Sequence, residues 1–149
     1  MKKLKITSLA FVLALVVLAS CKDKKKEEPT PEAAQKALLI KTWNNGTVTL
    51  DQTADQGDWS AFTVTFADGS YSSSGFSEGR ELVWPSSGTW AFKGAGSDAV
   101  DINTLVRGDG VEIAITVDEA NLTMSFTYDD SINGRITGIN GDWVFGMTN

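Results

Sequence analysis

The 149-residue chain has no histidine, a single cysteine and only three prolines. Without histidine, serine–histidine and cysteine–histidine nucleophile systems cannot be assembled, and the commonest zinc sites lose their ligand. It also lacks a long apolar run. The longest, Leu9 to Ala19, is free of charge but too short to span a bilayer, which takes about 20 residues. Positive charge is scarce over most of the length. From Thr42 onward only Arg80, Lys93, Arg107 and Arg135 stand against 15 carboxylates, a net of −11. Such a surface repels nucleic acid, which is held chiefly through lysine and arginine contacts to phosphate, so nucleic-acid binding is rejected. The same charge keeps the domain from lying flat on an anionic lipid surface.

The basic residues concentrate at the amino terminus. Lys2, Lys3 and Lys5 precede the apolar run, which ends in Leu18-Ala19-Ser20-Cys21. A positive stretch, an apolar stretch and small residues before the next element form the layout of a secretory signal peptide. The four residues ending at Cys21 resemble the lipobox of bacterial lipoproteins. That resemblance implies a signal peptide over residues 1–20, cleavage before Cys21, and acyl chains such as palmitate on the Cys21 sulfur and amino terminus. At about 0.8 kcal/mol per buried methylene, several acyl chains make the attachment effectively permanent. Cys21 is then an anchor to the membrane and not a redox or metal residue.

Residues 21–31 read as the lipidated cysteine and a charged tether. Lys22 to Pro31 offers almost no apolar side chain to bury, and is expected to stay disordered and reach roughly 30 Å if extended. Its charges resemble the segment that sends some Gram-negative lipoproteins to the outer face of the outer membrane; a plain spacer without an address is the alternative. Lys22 stands where an aspartate marks inner-membrane retention in some of those systems, which favours the outer membrane, on its periplasmic or cell-surface side. Thr30 and Pro31 suit an N-cap and first helical residue, opening a short helix over 32–41. Ala33, Ala37 and Ile40 would share its buried side, widened by Leu38 and Leu39.

Beyond Lys41 the apolar period changes to two. Phe62, Val64 and Phe66 alternate with Thr63 and Thr65; Val111, Ile113, Ile115 and Val117 with Glu112, Ala114 and Thr116; Leu122, Met124, Phe126 and Tyr128 with Thr123, Ser125 and Thr127. This alternation marks antiparallel sheet with one wet face. Turn residues separate the runs at 67–70, 94–97, 108–110, 119–121 and 132–134. The pattern predicts one all-β domain over 42–149 with about eight to ten strands, either an antiparallel up-and-down barrel or a β-sandwich.

Gly88-Thr-Trp90-Ala-Phe92 and Gly141-Asp-Trp143-Val-Phe145 share the pattern G-x-W-x-F, and Gly57-Asp-Trp59 shares its first half. With Thr42-Trp43 after a short helix, and the stretch from Gly75-Phe76 to Trp90, residues 38 to 149 resemble the lipocalin-like domains of bacterial lipoproteins. The resemblance implies an up-and-down barrel with tryptophans packed across its ends.

Candidate chemistry is sparse. Glu78 and Glu81 could pair as hydrolase carboxylates, for which separations of about 5 to 10 Å suffice. Among 15 acids some pair always looks suitable, and no enzyme activity and no cofactor are expected. Asp51, Asp55 and Asp58, and Asp129-Asp130 before Asn133-Gly134, are clustered acids, but neither stretch has the order of a calcium loop, so no metal is expected. Arg107-Gly108-Asp109 invites an adhesion reading, yet a hairpin between two strand patterns wants just such a glycine-rich turn. Asp130-Ser131-Ile132 matches an O-glycosylation pattern of some Gram-negative secretory proteins. Asn45 and Asn121 sit in N-linked sequons that a bacterial chain leaves unused.

Among the aromatics, Phe62, Phe66, Phe92, Phe126 and Phe145 lie in alternating strands and read as core. Tyr71, Phe76 and Trp84 belong to the serine- and glycine-rich stretch from Ser70 to Gly88 and are the candidate ligand-binding residues, at a barrel mouth or as a platform for a sugar ring. The leading expectation is a lipid-anchored binding protein holding a small apolar or amphipathic ligand. The alternatives are a filled barrel that binds glycan or protein on its surface, and a carboxylate hydrolase.

Overall fold

A computed structural model describes residues 28–55, 57–76, 78–129 and 138–149. The signal peptide, Cys21, most of the tether, Asp130-Ser131-Ile132 and Asn133-Gly134 lie outside the described residues. Helix α1 (Pro31–Leu39) is followed by nine strands: β1 (Thr42–Leu50), β2 (Thr53–Ala54), β3 (Thr63–Ala67), β4 (Ser70–Ser74), β5 (Ser87–Lys93), β6 (Asp101–Arg107), β7 (Glu112–Val117), β8 (Asn121–Tyr128) and β9 (Gly141–Thr148). Strands β3 to β9 pair antiparallel in sequence order, and β1 closes the ring by pairing with β3 on one side and β9 on the other. Eight strands therefore form a closed up-and-down barrel, with β2 as a two-residue flap on β1. The barrel, not the sandwich, is the fold; closure removes the unpaired edges that a sandwich would leave.

Alternation decides what lies inside. Along β3 the threonines and Ala67 face outward while Val64 and Phe66 are buried, and β8 buries Leu122, Met124 and Phe126 in the same way. The seam between β1 and β9 needs a correction in register between Asn45 and Thr47. Gly46 supplies it: any Cβ there would run into the Gly146 carbonyl of the opposing strand.

The two ends are closed differently. At the lower end, where β1 begins and β9 finishes, α1 lies across the opening against β6 and β7. The Thr30 hydroxyl accepts from the Ala33 N–H as the N-cap. Leu39 is the buried helix residue, whereas Ala33 and Ala37 are exposed, contrary to the expected apolar side. A nine-residue helix lying across a barrel mouth inserts its final turn, and the first two turns stay in solvent. At the upper end, the β2–β3 and β4–β5 connections fold over the mouth and insert Trp59, Val83 and Trp84, all buried.

Candidate functional site

Tyr71 lies on β4 between the exposed Ser70 and Ser72, so the pleat turns its ring inward. Its cross-strand neighbour is Gly88, where a Cβ would fall within 2.9 Å of the tyrosine ring and hydroxyl. The first glycine of G-x-W-x-F thus makes room for Tyr71 as well as leading into Trp90. Trp84 comes from the β4–β5 connection and is 0% exposed. Its ring contacts Tyr71 at 5.6 Å, Phe126 and Phe145 at 5.8 Å each, and Phe62 at 6.5 Å between centroids. Phe76 is half-buried and packs on Phe62 at 5.6 Å. Tyr71, Phe76 and Trp84 therefore converge on one aromatic chamber inside the upper mouth. Trp84 forms its middle and is not part of an exposed platform.

The indole nitrogens divide the tryptophans into two kinds. Trp43 donates to the Leu39 carbonyl at 3.0 Å, Trp59 to Asp55 Oδ2 at 2.8 Å and Trp143 to the Ile139 carbonyl at 2.8 Å, each four residues back. The Trp90 N–H is shared between the carbonyls of Ala67 and Ser70, both at 2.9 Å. Trp84 Nε1 is buried with no hydrogen-bond partner among the described residues. An unmet buried donor costs about 1–3 kcal/mol, so the ring contacts of Trp84 hold it against that penalty.

Beside Trp84 lies a buried charge that the candidate list did not contain. Arg107, the last residue of β6, is 2% exposed. Its guanidinium stands over the rings of Trp84 at 5.4 Å and Phe126 at 5.7 Å. Nε and Nη2 donate to the Asp109 carboxylate at 2.7–3.0 Å, and Nη1 donates to the Val83 carbonyl at 3.0 Å. Asp109 is itself 46% exposed, so the pair joins a buried cation to a wetted anion across the turn. Burial raises the Asp109 pKa, but Arg107 more than offsets this and holds it below the ordinary carboxylate range. Burial pushes the Tyr71 hydroxyl upward. The Arg-Gly-Asp sequence is thus a hairpin turn whose arginine is inside. The sequence signal for this was parity: Arg107 is in phase with the inward Leu105.

A second ion pair ties the two upper connections together. Arg80 donates from Nε and Nη2 to Asp55 at 3.2 and 2.9 Å, and Asp55 also accepts from the Gly57 amide and the Trp59 indole. The Asp55 side chain is 4% exposed and that of Arg80 21%. Burial opposes ionisation of Asp55, but hydrogen bonds from Arg80, Trp59 and Gly57 outweigh it and lower its pKa. Asp51 and Asp58 are engaged elsewhere, with the Asp142 and Ser60 amides. No group of three potential metal ligands occurs among the described residues. Glu78 and Glu81 are both exposed on the β4–β5 connection and form no ion pair among the described residues.

The class these features define is a closed eight-stranded antiparallel barrel with an aromatic chamber under its upper mouth, compatible with a lipocalin-like fold. No protein-family model, curated protein or solved structure matches the chain.

Proposed function

We propose that this chain is a lipid-anchored extracytoplasmic binding protein, held through Cys21 at the outer membrane, that takes a small apolar or amphipathic ligand at the upper mouth of its barrel. The observation that carries this reading is the chamber around Trp84, where apolar rings surround an unpaired indole N–H and a buried arginine. A strand-borne core has no need of either polar group; a site for a ligand with one polar end uses both. The acidity of the domain agrees with a partner other than nucleic acid, and the reading requires neither catalysis nor a cofactor.

The test is native mass spectrometry of the chain from Lys22 onward, exported to the periplasm of a Gram-negative host and purified without detergent. A reproducible adduct of a few hundred daltons is the expected result, and a bare mass under conditions that preserve weak complexes overturns the carrier reading. The anchor is checked separately: Cys21→Ser should move the protein out of the membrane fraction and abolish labelling by a palmitate analogue.

A second reading, surface binding of glycan by a filled barrel, is favoured by the outer face of β1, β3, β4 and β5. Thr42, Thr65, Ser72 and Ser87 occupy successive register positions, a row of hydroxyls without charge. Its Thr42 and Thr65 hydroxyls are 2.8 Å apart. Glycan-array binding lost on Ser72→Lys, with no adduct in the mass spectrum, would decide for it.

A further inference from the structure

We propose that residues 78–86 are a built-in occupant of the barrel, with Trp84 in the place of the ligand, and that the ligand is a small amphipathic carboxylate which displaces Trp84 and pairs with Arg107. This rests on the reading of the upper mouth as a binding site and names the ligand for it.

The other walls of the chamber are fixed to the barrel or close beside it. Tyr71, Phe126 and Phe145 belong to β4, β8 and β9, and Phe62 immediately precedes β3. Trp84 arrives from the β4–β5 connection, as does Phe76, which packs on Phe62 near the start of that connection. The Trp84 indole N–H gives up no hydrogen bond among the described residues in leaving, and its segment is otherwise held by Arg80 on Asp55 and by Ser73, whose N–H and hydroxyl donate to the Ser86 and Pro85 carbonyls.

Arg107 supplies the chemistry. Two of its nitrogens are committed to Asp109, which stands on its own hairpin and stays when residues 78–86 move. The third, Nη1, donates among the described residues to the Val83 carbonyl alone, which moves with Trp84. Withdrawal of Val83 and Trp84 therefore exposes, inside an aromatic chamber, a cationic donor that has lost its acceptor and the ring beneath it. Nε and Nη2 stay on Asp109, and a carboxylate on an apolar body is the replacement that gives Nη1 a charge-assisted acceptor and refills the place of the ring. Tyr71 adds a second donor, since its hydroxyl makes no hydrogen bond among the described residues. Leu82, within this segment, is 49% exposed, the large apolar side chain left in solvent among the described residues. Its neighbours Val83 and Trp84 are fully buried, so residues 82–84 bring apolar groups to both sides of the mouth.

The test uses the chain from Lys22 onward, since the described core residues lie between 39 and 147 and the barrel strands between 42 and 148. Labelled with 5-fluorotryptophan, it should give five fluorine resonances, that of Trp84 identified by its loss in Trp84→Phe. Indole-3-acetate carries the ring that Trp84 inserts plus a carboxylate; 3-methylindole carries the ring alone. The expected result is at least tenfold tighter binding of the acetate, with the Trp84 resonance moving to the solvent-exposed position at saturation and the tenfold preference lost in Arg107→Gln. Equal affinity for both probes, or binding that leaves the Trp84 resonance unmoved, overturns the inference while leaving a binding protein. Failure of indole-3-acetate to bind both the wild-type chain and Trp84→Leu, where the place of the indole is part-emptied, also overturns it. A native-mass adduct of other chemistry would then keep the wider reading, and a bare mass would remove both.

Discussion

The two ends of the barrel are closed with the same kinds of residue put to different use. At the lower end a regular helix covers the mouth, the Trp43 indole is hydrogen-bonded to the helix's last turn, and the charges stay in solvent. Lys36 reaches Asp68 at 2.9 Å on the surface, and Lys41 donates to the Glu119 carbonyl while standing over the Trp43 ring. At the upper end irregular chain covers the mouth, two arginines are drawn into the rings, and one indole is unpaired. Backbone hydrogen bonds within a helix cost nothing further when it is docked, so the lower closure is satisfied by itself. Irregular chain has no such ladder and depends on side-chain acceptors such as Asp55. The lower end is built to stay shut, whereas the upper end is held by a few polar contacts that one change can release.

Four outcomes would sharpen or break that contrast. The largest effect is expected for Asp55→Ala, which strands the partly buried Arg80 and leaves the Trp59 indole and Gly57 amide without their acceptor. A loss of about 3 kcal/mol follows, read from the urea midpoint. A variant within ~0.5 kcal/mol of wild type would mean that the upper latch carries no weight.

Next come the paired substitutions Trp43→Phe and Trp84→Phe. The first breaks a buried hydrogen bond and leaves the Leu39 carbonyl with the Lys41 N–H alone; the second removes a donor that has no partner among the described residues. Trp43→Phe should therefore cost about 1–2 kcal/mol more than Trp84→Phe in the same denaturation assay, and equal costs would dissolve the distinction between the ends.

Acid should open the upper end first. Asp55 and Asp109 both have folded pKa values below the ordinary 3.8, so what they contribute is fully present above that value and is lost as pH falls through the lowered ones. Below pH 3.8 amide hydrogen exchange should rise in residues 57–62 and 78–86 before it rises in α1, and Asp55→Ala should flatten the acid limb of the stability curve. The smallest effect belongs to Lys36→Ala, whose exposed pair with Asp68 is worth less than about 1 kcal/mol.

Much of the barrel was legible along the chain because a strand records its own burial. Phe62-x-Val64-x-Phe66 and Leu122-x-Met124-x-Phe126 state which side chains go inside, and Thr30-Pro31 states where a helix begins. The site was legible only in part. Tyr71, Phe76 and Trp84 could be picked out as aromatics in a stretch without strand period, but their parting between β4 and a folded-in connection could not, since irregular chain carries no period to read. Arg107 was visible by parity with Leu105 and was passed over, because a glycine-rich turn follows it and charges at turns usually point to water.

The alternation of residue types by itself determined an all-β domain, its inward faces and the acidity that turns away nucleic acid, since each of these is a local or additive property. Tertiary structure alone decided that β1 meets β9, that Asp55 reaches Arg80 across 25 positions, and that an arginine shares the chamber with an unpaired indole. Those depend on where the ends of separate segments come to rest, and closure of the ring brings them together.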